Sequence, residues 1–422
     1  MRRDRARFSL LAASSVVTVL TLAACGGGNA STTSSAGNGA KPIVVGISLP
    51  LTGQFSADGI ATEHGYELWQ SDVNAKGGLL GRPVQLKIVN DDSNPNTVTK
   101  DYTTLITVDH VDLTLAPFST LLTASAQPVA EKYHYALAAG SATGPAVFSQ
   151  PDPYFFSVSV PDATEMQPFA SWVASLPAGK KPATAAYPMV SDPFADPPVK
   201  ATETYLSQHG VHTVYATDPK KAVTPNATDS NLTPIANAVA AAHPELVVLG
   251  TVDVPSLLAF VKAFQAKNFT PKIMIASSGP DQGEEFLHHI GGSNAAQAIM
   301  VPDGWYGGEQ NALSHVMVQD YIAKFGGTTN DINADVAEAY SAGETLAAAI
   351  QAKGTLNNTT IADYLHHHTV QTVQGAATFN ALGENTDAQH QAFIFQWQDS
   401  QFLQVLPTHP GPAALALKPN WG

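Results

Sequence analysis

Short runs of branched apolar residues recur along the chain and alternate with stretches whose apolar positions have helical spacing. Ile43–Leu49 is rich in β-branched apolar residues, and Val84, Leu86 and Ile88 alternate with polar neighbours. Both patterns predict strands, the first buried on two faces and the second on one. Residues 59–76 carry apolar or small side chains on one helical face, which predicts a helix packed against the sheet.

The same alternation returns in the second half of the chain. Further strands are predicted at residues 183–187, 211–215, 246–250 and 272–276, and further helices at 199–208, 232–242 and 255–266. Strands that alternate with helices at this spacing indicate α/β units with parallel sheets. Because the two series are separated near residues 151–161, we expect two doubly wound, Rossmann-like lobes.

The N-terminal 25 residues have the pattern of an export signal. Residues 1–7 contain four arginines, residues 8–24 are almost wholly apolar or small, and Leu22-Ala23-Ala24 precedes Cys25. This order is typical of a secretory signal peptide, although the apolar run is at the short edge of what could span a bilayer. The ending resembles the lipobox of bacterial lipoproteins. That resemblance implies cleavage before Cys25, acylation of its thiol and anchoring at the cell membrane.

Composition changes this picture in three ways. Residues 25–40 are rich in Gly, Ser and Thr and carry no charge, so we expect a flexible tether before the folded part begins near Lys41. The formal charge is −14, and removal of residues 1–24 makes it −17. Such acidity disfavours nucleic acid and anionic surfaces as partners. With one cysteine, no disulfide can form within the chain and no cysteine-based zinc or iron–sulfur site can be built.

Seven segments carry a more specific signal, at residues 51–55, 72–84, 90–92, 128–132, 335–350, 374–383 and 395–398. The most specific is the Asn-Ala-Lys-Gly-Gly…Gly-Arg pattern that ends at Arg82. Together they resemble extracytoplasmic solute-binding proteins of ABC importers, of the leucine/isoleucine/valine-binding type. The resemblance implies two lobes joined by three crossing strands and a cleft that closes on a small molecule. It further implies a monomer that is not an enzyme, needs no cofactor and delivers its ligand to ABC permease subunits.

This resemblance divides the chain into consecutive segments. We expect a signal peptide at 1–24, a tether at 25–40, the first part of lobe 1 at 41–160 and the first part of lobe 2 at 161–302. Residues 303–374 then return to lobe 1, and residues 375–422 complete lobe 2.

The resemblance also implies which residues meet the ligand. In amino-acid-binding members, hydroxyls and backbone N–H groups of the first lobe hold the α-carboxylate, and an acid of the second lobe holds the ammonium. Carried over by position, the candidates are Phe55, Ser119, Thr120, Ser141, Ala142 and Thr143 on lobe 1, Phe194, Asp253 and Asp281 on lobe 2, and Trp305 at the return crossing. Serine and threonine also cap turns, and either aspartate could cap a helix, with Asp253 favouring that role.

Two departures from the family pattern bear on the ligand. Ala116-Pro117-Phe118 stands where Gly-Pro is usual before the serine loop, and Phe194 stands where tyrosine is frequent. The loss of a hydroxyl and the gain of aromatic surface favour a less polar ligand. We therefore expect an amino acid or a related amide or carboxylate, with its exact identity open.

Three other interpretations deserve comparison. A secreted hydrolase would need a nucleophile, and the sequence contains no G-x-S-x-G elbow. The histidine runs at 366–368 and 288–289 lack a pair at i and i+4, so an exposed polar helix end is favoured over a metal site. A lipid-anchored sensor of the same fold that signals to a membrane receptor stays open, because sequence does not separate it from an import receptor.

Overall fold

The computed structural model describes residues 41–218, 222–223, 229–308, 311–388, 392–407 and 414–421, with only the backbone of residues 229 and 230. They belong to one compact unit, Ala40–Gly422. The predicted signal peptide, Cys25 and the tether lie outside the described residues. Within the described ranges, no helix has the length and apolar character needed to cross a membrane.

The first sheet is fully parallel and has the order β2-β1-β3-β4-β5. Its strands are β1 (Ile43–Leu49), β2 (Val84–Asn90), β3 (Leu113–Leu115), β4 (Leu137–Ala139) and β5 (Phe155–Ser157). The helices between them are α1 (Ser56–Ala75), α2 (Pro95–Thr107) and α3 (Thr120–Tyr133). Strand β1 lies inside the sheet, between β2 and β3, and six of its seven residues are buried, as its apolar run predicts.

The second sheet has seven strands in the order β14-β13-β10-β9-β8-β6-β7. Its parallel strands are β6 (Thr184–Tyr187), β7 (His212–Ala216), β8 (Leu246–Leu249), β9 (Ile273–Ala276) and β10 (Ile299–Asp303). Strands β13 (Phe393–Gln398) and β14 (Gln401–Leu406) extend it in antiparallel fashion. The intervening helices are α4 (Asp162–Glu165), α5 (Gln167–Ser175), α6 (Asp196–Gln208), α7 (Asp229–Ala242), α8 (Val254–Ala266), α9 (Gly283–Ile290) and α10 (Ser293–Ala296).

After β10 the chain returns to the first lobe. It forms α11 (Ala312–Phe325), a 3-10 turn (Thr329–Asp331), α12 (Ala334–Lys353), α13 (Asn358–His367) and the hairpin β11 (Val370–Thr372) and β12 (Gly375–Ala377). Two sheets of alternating strands and helices make the predicted α/β architecture with two lobes.

Helix α12 packs along α1, and glycines set their separation. A Cβ added at Gly65 would lie 2.3 Å from the carbonyl oxygen of Val336, and one added at Gly343 would lie 2.4 Å from Cδ2 of Trp69. Only hydrogen at these positions allows such close approach. The contact places the first turn of α12, which carries Asp335, against the middle of α1.

Candidate functional site

A cavity lies where the carboxyl ends of the parallel strands of both sheets face each other. Loops and first helical turns after β1, β3, β4, β5, β6, β8 and β9 contribute to its wall, together with the end of β10. Parallel α/β sheets place ligands at this edge, because strand ends and helix N-termini supply polar groups there. The fold therefore places the candidate site between the lobes.

One side of the cavity carries hydroxyl groups. Ser119 caps α3 by accepting the N–H of Leu122 at 3.3 Å, and its own N–H donates to Ser141 Oγ at 3.3 Å. Its φ of 72° is unusual for a residue other than glycine and lies at a loop that faces the cavity. Thr143 is 6% exposed, and its Oγ1 has no hydrogen-bond partner among the described residues.

Apolar side chains form a second part of the wall. Those in contact with the cavity are Phe55, Phe118, Val160, Phe194 and Val252. The rings of Phe55 and Phe118 pack against each other at a tilt, with centroids 5.8 Å apart. Aromatic and branched surfaces of this kind suit the hydrocarbon part of an organic solute.

Acidic side chains form the third and largest polar part. Seven carboxyl groups line the cavity: Asp58, Glu165, Asp192, Asp281, Asp303, Asp335 and Glu338. They come from both lobes, since Asp58 is in the first turn of α1, Asp335 in the first turn of α12, and Asp281 in the loop after β9. Among the described residues that line the cavity, none is lysine, arginine or histidine.

Gln282 joins the two lobes beside this acidic wall. Its Nε2 donates to Asp58 Oδ1 at 2.5 Å and to Asp335 Oδ2 at 3.2 Å. Its Oε1 accepts from Asn333 Nδ2 at 2.9 Å, which orients the amide so that the nitrogen faces the carboxylates. A second bond between the lobes runs from Gln54 Nε2 to Asp253 Oδ2 at 2.5 Å. These bonds hold the cleft in a closed arrangement.

Burial and mutual repulsion both act on the acids. Burial raises the pKa of Asp58, Glu165 and Asp335 well above the ordinary carboxyl range, and neighbouring carboxylates raise it further. Burial likewise raises the pKa of Glu338 to about 7 and that of Asp192 to about 6. The shared direction reflects burial first and neighbouring carboxyls second, and no described residue of the cavity wall is basic.

A family comparison decides what kind of protein has this cleft. Residues 42–401 match the family model described as periplasmic binding protein. The chain belongs to the periplasmic binding protein family. The resemblance drawn from the sequence segments and the predicted fold with two lobes are thereby confirmed.

Solved structures of similar fold include ABC transporter proteins crystallised with different ligands. An R. palustris solute-binding protein in complex with benzoate matches with a TM-score of 0.72 and 15% identity over 90% of this chain and 97% of that one. A Streptococcus pneumoniae branched-chain amino acid transporter substrate-binding protein in complex with isoleucine has a TM-score of 0.72 and 18% identity, over 86% of this chain and 98% of that one. A Thermotoga maritima leucine-binding protein has a TM-score of 0.72 and 15% identity, over 86% of this chain and 97% of that one. At these identities the likeness shows a common fold.

In this periplasmic binding protein, six of the sequence-predicted residues line the cavity, namely Phe55, Ser119, Ser141, Thr143, Phe194 and Asp281. Asp281 does not cap α9. Its Oδ1 instead accepts the N–H of Gly279 at 2.7 Å, which leaves its carboxyl at the cavity wall. The ligand contacts of these six residues stay predictions.

The other four candidates lie outside the cavity wall, and each has a local partner. Thr120 Oγ1 accepts hydrogen bonds from the N–H groups of Thr143 and Gly144, so it stabilises the loop that carries Thr143. Asp253 Oδ1 caps α8 through the N–H of Ser256. The remaining two are Ala142, whose carbonyl accepts from Ser157 Oγ, and Trp305, whose Nε1 donates to Ser314 Oγ.

Sequence reasoning missed most of the acidic wall. It did not single out Asp58, Glu165, Asp192, Asp303, Asp335 or Glu338. Three of them, Asp58, Glu165 and Asp335, lie in first helical turns, where an acid ordinarily complements the helix dipole and signals nothing unusual. The available hint was the spacing of Asp335 and Glu338, which places two acids on one helix face.

Proposed function

We propose that this periplasmic binding protein is a lipid-anchored extracytoplasmic receptor that binds a small organic solute and delivers it to an ABC importer. The observation that supports this most directly is a cavity lined by residues of both lobes. Gln282 of the second lobe crosses beside it and donates to Asp58 and Asp335 of the first lobe. A solute held between two lobes stabilises their closed arrangement, and closure creates the surface that a permease recognises. The family match supports a binding role rather than catalysis.

The wall of the cavity indicates a solute that carries a protonated amine. Carboxylates on the wall provide acceptors for an ammonium group, and charge-assisted hydrogen bonds of this kind are the strong ones. The hydroxyls of Ser119, Ser141 and Thr143 can donate to a carboxylate or amide oxygen, while the phenylalanines cover the hydrocarbon part. An amino acid or a related compound has all three features.

Calorimetric titration of the purified protein with amino acids, amides, urea and aromatic acids tests the proposal. We expect saturable binding of at least one amine-bearing solute, and Asp281→Asn should weaken it about tenfold because one charge-assisted bond is lost. Glu131→Gln removes one negative charge from an exposed position on α3 and serves as the matched control. Absence of saturable binding across the whole panel would contradict the receptor function.

A further inference from the structure

Two polar side chains on the cavity wall are buried and have an atom without a hydrogen-bond partner. Thr143 is 6% exposed and Glu165 is 8% exposed, and both line the cavity. Among the described residues, no group bonds to Thr143 Oγ1 or to Glu165 Oε1. A buried polar atom without a partner is costly, because it has lost its water and gained no bond in return. Both atoms can therefore bond to a solute.

Glu165 differs in this respect from the other acids of the cleft. Each of the other six accepts a hydrogen bond within the described part of the protein: Asp58 and Asp335 from Gln282, Asp192 from Phe194, Asp281 from Gly279, Asp303 from Gly304 and Glu338 from Ser159. Those bonds compensate the burial of the six acids in part. A hydrogen from the solute restores more at Glu165 Oε1, where no such bond compensates burial.

Thr143 and Glu165 lie on segments that are bonded to each other. The carbonyl oxygen of Thr143 accepts the N–H of Asp162 at 3.1 Å, and Asp162 is the first residue of α4. Glu165 is the last residue of that single turn, three positions further along. The two side chains therefore reach the cavity from neighbouring positions in its wall.

We propose that Glu165 is a further specificity-determining residue of the cleft, whose Oε1 accepts an N–H group of the solute beside the hydroxyl of Thr143. This inference rests on the proposed function, since it specifies how the same cleft selects its solute. A carboxyl keeps an acceptor oxygen whether or not it is protonated. The threonine hydroxyl has one hydrogen and two lone pairs, so it can accept from the same N–H group and donate to another part of the solute. Amines and carboxamides share this chemistry.

A solute hydroxyl is the other donor that could bond to Glu165. It has one hydrogen, whereas an ammonium group has three and a carboxamide has two. One hydrogen cannot serve both Glu165 Oε1 and Thr143 Oγ1, and a nitrogen group can. The wall also has seven carboxyl groups and, among its described residues, no basic side chain, which favours a group with partial or full positive charge. A hydroxy acid enters the test as the competing solute.

The first experiment is a calorimetric comparison of four probes on the purified protein at neutral pH. Leucine, leucic acid, isocaproate and isocaproamide share one branched carbon chain and differ in the polar groups attached to it. We expect leucine or isocaproamide to bind about tenfold more tightly than isocaproate and leucic acid, which have no N–H group. Leucine as the tightest probe would indicate an amine, and isocaproamide as the tightest would indicate an amide.

The second experiment assigns the contact to Glu165. Glu165→Gln keeps an acceptor oxygen and loses the charge, and Glu165→Met loses both, while Glu131→Gln is the control at an exposed position on α3. Leucine should lose about tenfold in affinity in both Glu165 variants, and isocaproamide only in Glu165→Met. Isocaproate should be weakened by neither. Melting curves by circular dichroism show whether each variant is folded, and the order of the four probes on the unsubstituted protein decides the proposal if one is not.

A second substitution tests whether Thr143 and Glu165 bind the same group. Thr143→Val removes the hydroxyl and keeps the shape of the side chain. If one N–H group contacts both residues, the losses in Thr143→Val and Glu165→Met should not add in the double variant. Additive losses would show that Thr143 bonds elsewhere on the solute and would overturn the shared contact.

The results separate this inference from the function on which it rests. If isocaproate, leucic acid or benzoate binds at least as tightly as every N–H probe, the receptor function stands and the N–H contact is wrong. Equal losses for isocaproate and the N–H probes in Glu165→Met would reveal a structural effect and also overturn it. If no probe and no member of the wider solute panel binds, the receptor function fails and the inference fails with it.

Discussion

Gln282 is the residue whose amide links the lobes at the cleft. Its carbonyl oxygen is fixed by Asn333, so its nitrogen faces the carboxylates of Asp58 and Asp335. A neutral donor in this place lowers the repulsion between two buried acids without competing for the charge of a solute. Gln282 thus links the second lobe to two acids of the first lobe without adding a charge to the cleft.

Replacement of Gln282 by alanine should weaken solute binding by about tenfold, because the closed arrangement loses its bonds between lobes and the two acids repel more strongly. Isothermal titration calorimetry measures the loss. Gln208→Ala, at an exposed position near the end of α6, is the matched control and should bind like the unsubstituted protein. Equal affinity of both variants would show that Gln282 does not contribute to closure.

Glu338 makes the stability of the empty protein depend on pH. Burial raises its pKa from the ordinary 4.5 to about 7, Asp281 adds to the effect, and a hydrogen bond with Ser159 opposes it. Asp335 on the same helix is shifted in the same direction by burial and by Glu338. Glu165 and Asp303 complete the titratable groups that face it. The pKa of Glu338 is about 7 in the folded protein and about 4.5 in the unfolded chain, so its protonation stabilises the fold. This stabilisation is fully present below pH 4.5 and is lost as the pH rises through 7.

The melting temperature of the solute-free protein should therefore fall between pH 5 and pH 8. The free energy of unfolding should fall over the same pH range. In Glu338→Gln this fall should be smaller by on the order of 1–3 kcal/mol, because the glutamine side chain has no proton to lose. Differential scanning calorimetry at both pH values measures it, with Glu131→Gln as the control that keeps the full dependence. An unchanged pH dependence in Glu338→Gln would place the titration elsewhere.

At the level of elements, the α1–α12 contact positions the acidic wall. Gly65 and Gly343 allow the two helices to touch; the first turns of these helices carry Asp58 and Asp335, and Glu338 follows three residues later on α12. Alanine has a higher helix propensity than glycine, so on propensity alone a glycine-to-alanine substitution at either position would stabilise the helix. Close packing overrides propensity here.

Gly343→Ala should destabilise the protein by about 1–3 kcal/mol, the usual effect of overpacking, and should weaken solute binding by shifting the first turn of α12. Chemical denaturation and calorimetry measure the two effects. Gly179→Ala is the control, because a Cβ there would meet no atom within 4 Å. If Gly343→Ala were as stable as the control, the close contact with Trp69 would not limit the helix separation.

Element prediction succeeded where the signal is local. The strand expected at residues 246–250 is Leu246–Leu249, and the helix expected at 255–266 is Val254–Ala266. Candidate residues in the loops after strands could also be predicted from the sequence, and Ser119 and Asp281 both line the cavity. The roles of Thr120 and Asp253 could not be predicted in this way, since a structural cap and a ligand contact use the same residue types at the same loop positions.

At the level of the whole molecule, the proposed location and function depend on Cys25. The lipobox resemblance predicts that export ends with a diacylated cysteine and that residues 25–40 act as a tether. If residues 1–24 are removed as predicted, the charge becomes −17, and such acidity disfavours contact with an anionic membrane surface.

Cys25→Ser should abolish acylation and cleavage before residue 25, because the hydroxyl does not replace the thiol. Intact-mass spectrometry of the cell fractions measures both events, and Ser31→Ala, within the tether, is the control that should be processed normally. Recovery of a cleaved Cys25→Ser protein from the membrane fraction would contradict lipid anchoring.

The sequence by itself determined the α/β fold, the family and the hydroxyl loops, because periodicity, turn chemistry and short segments are properties of neighbouring residues. The tertiary structure alone decided the character of the cleft. Asp58 and Asp335 are separated by more than 270 positions, and each by itself is an ordinary acid in a first helical turn. Packing of α1 against α12 and the bonds from Gln282 bring them together, and burial then raises the pKa of both carboxyls.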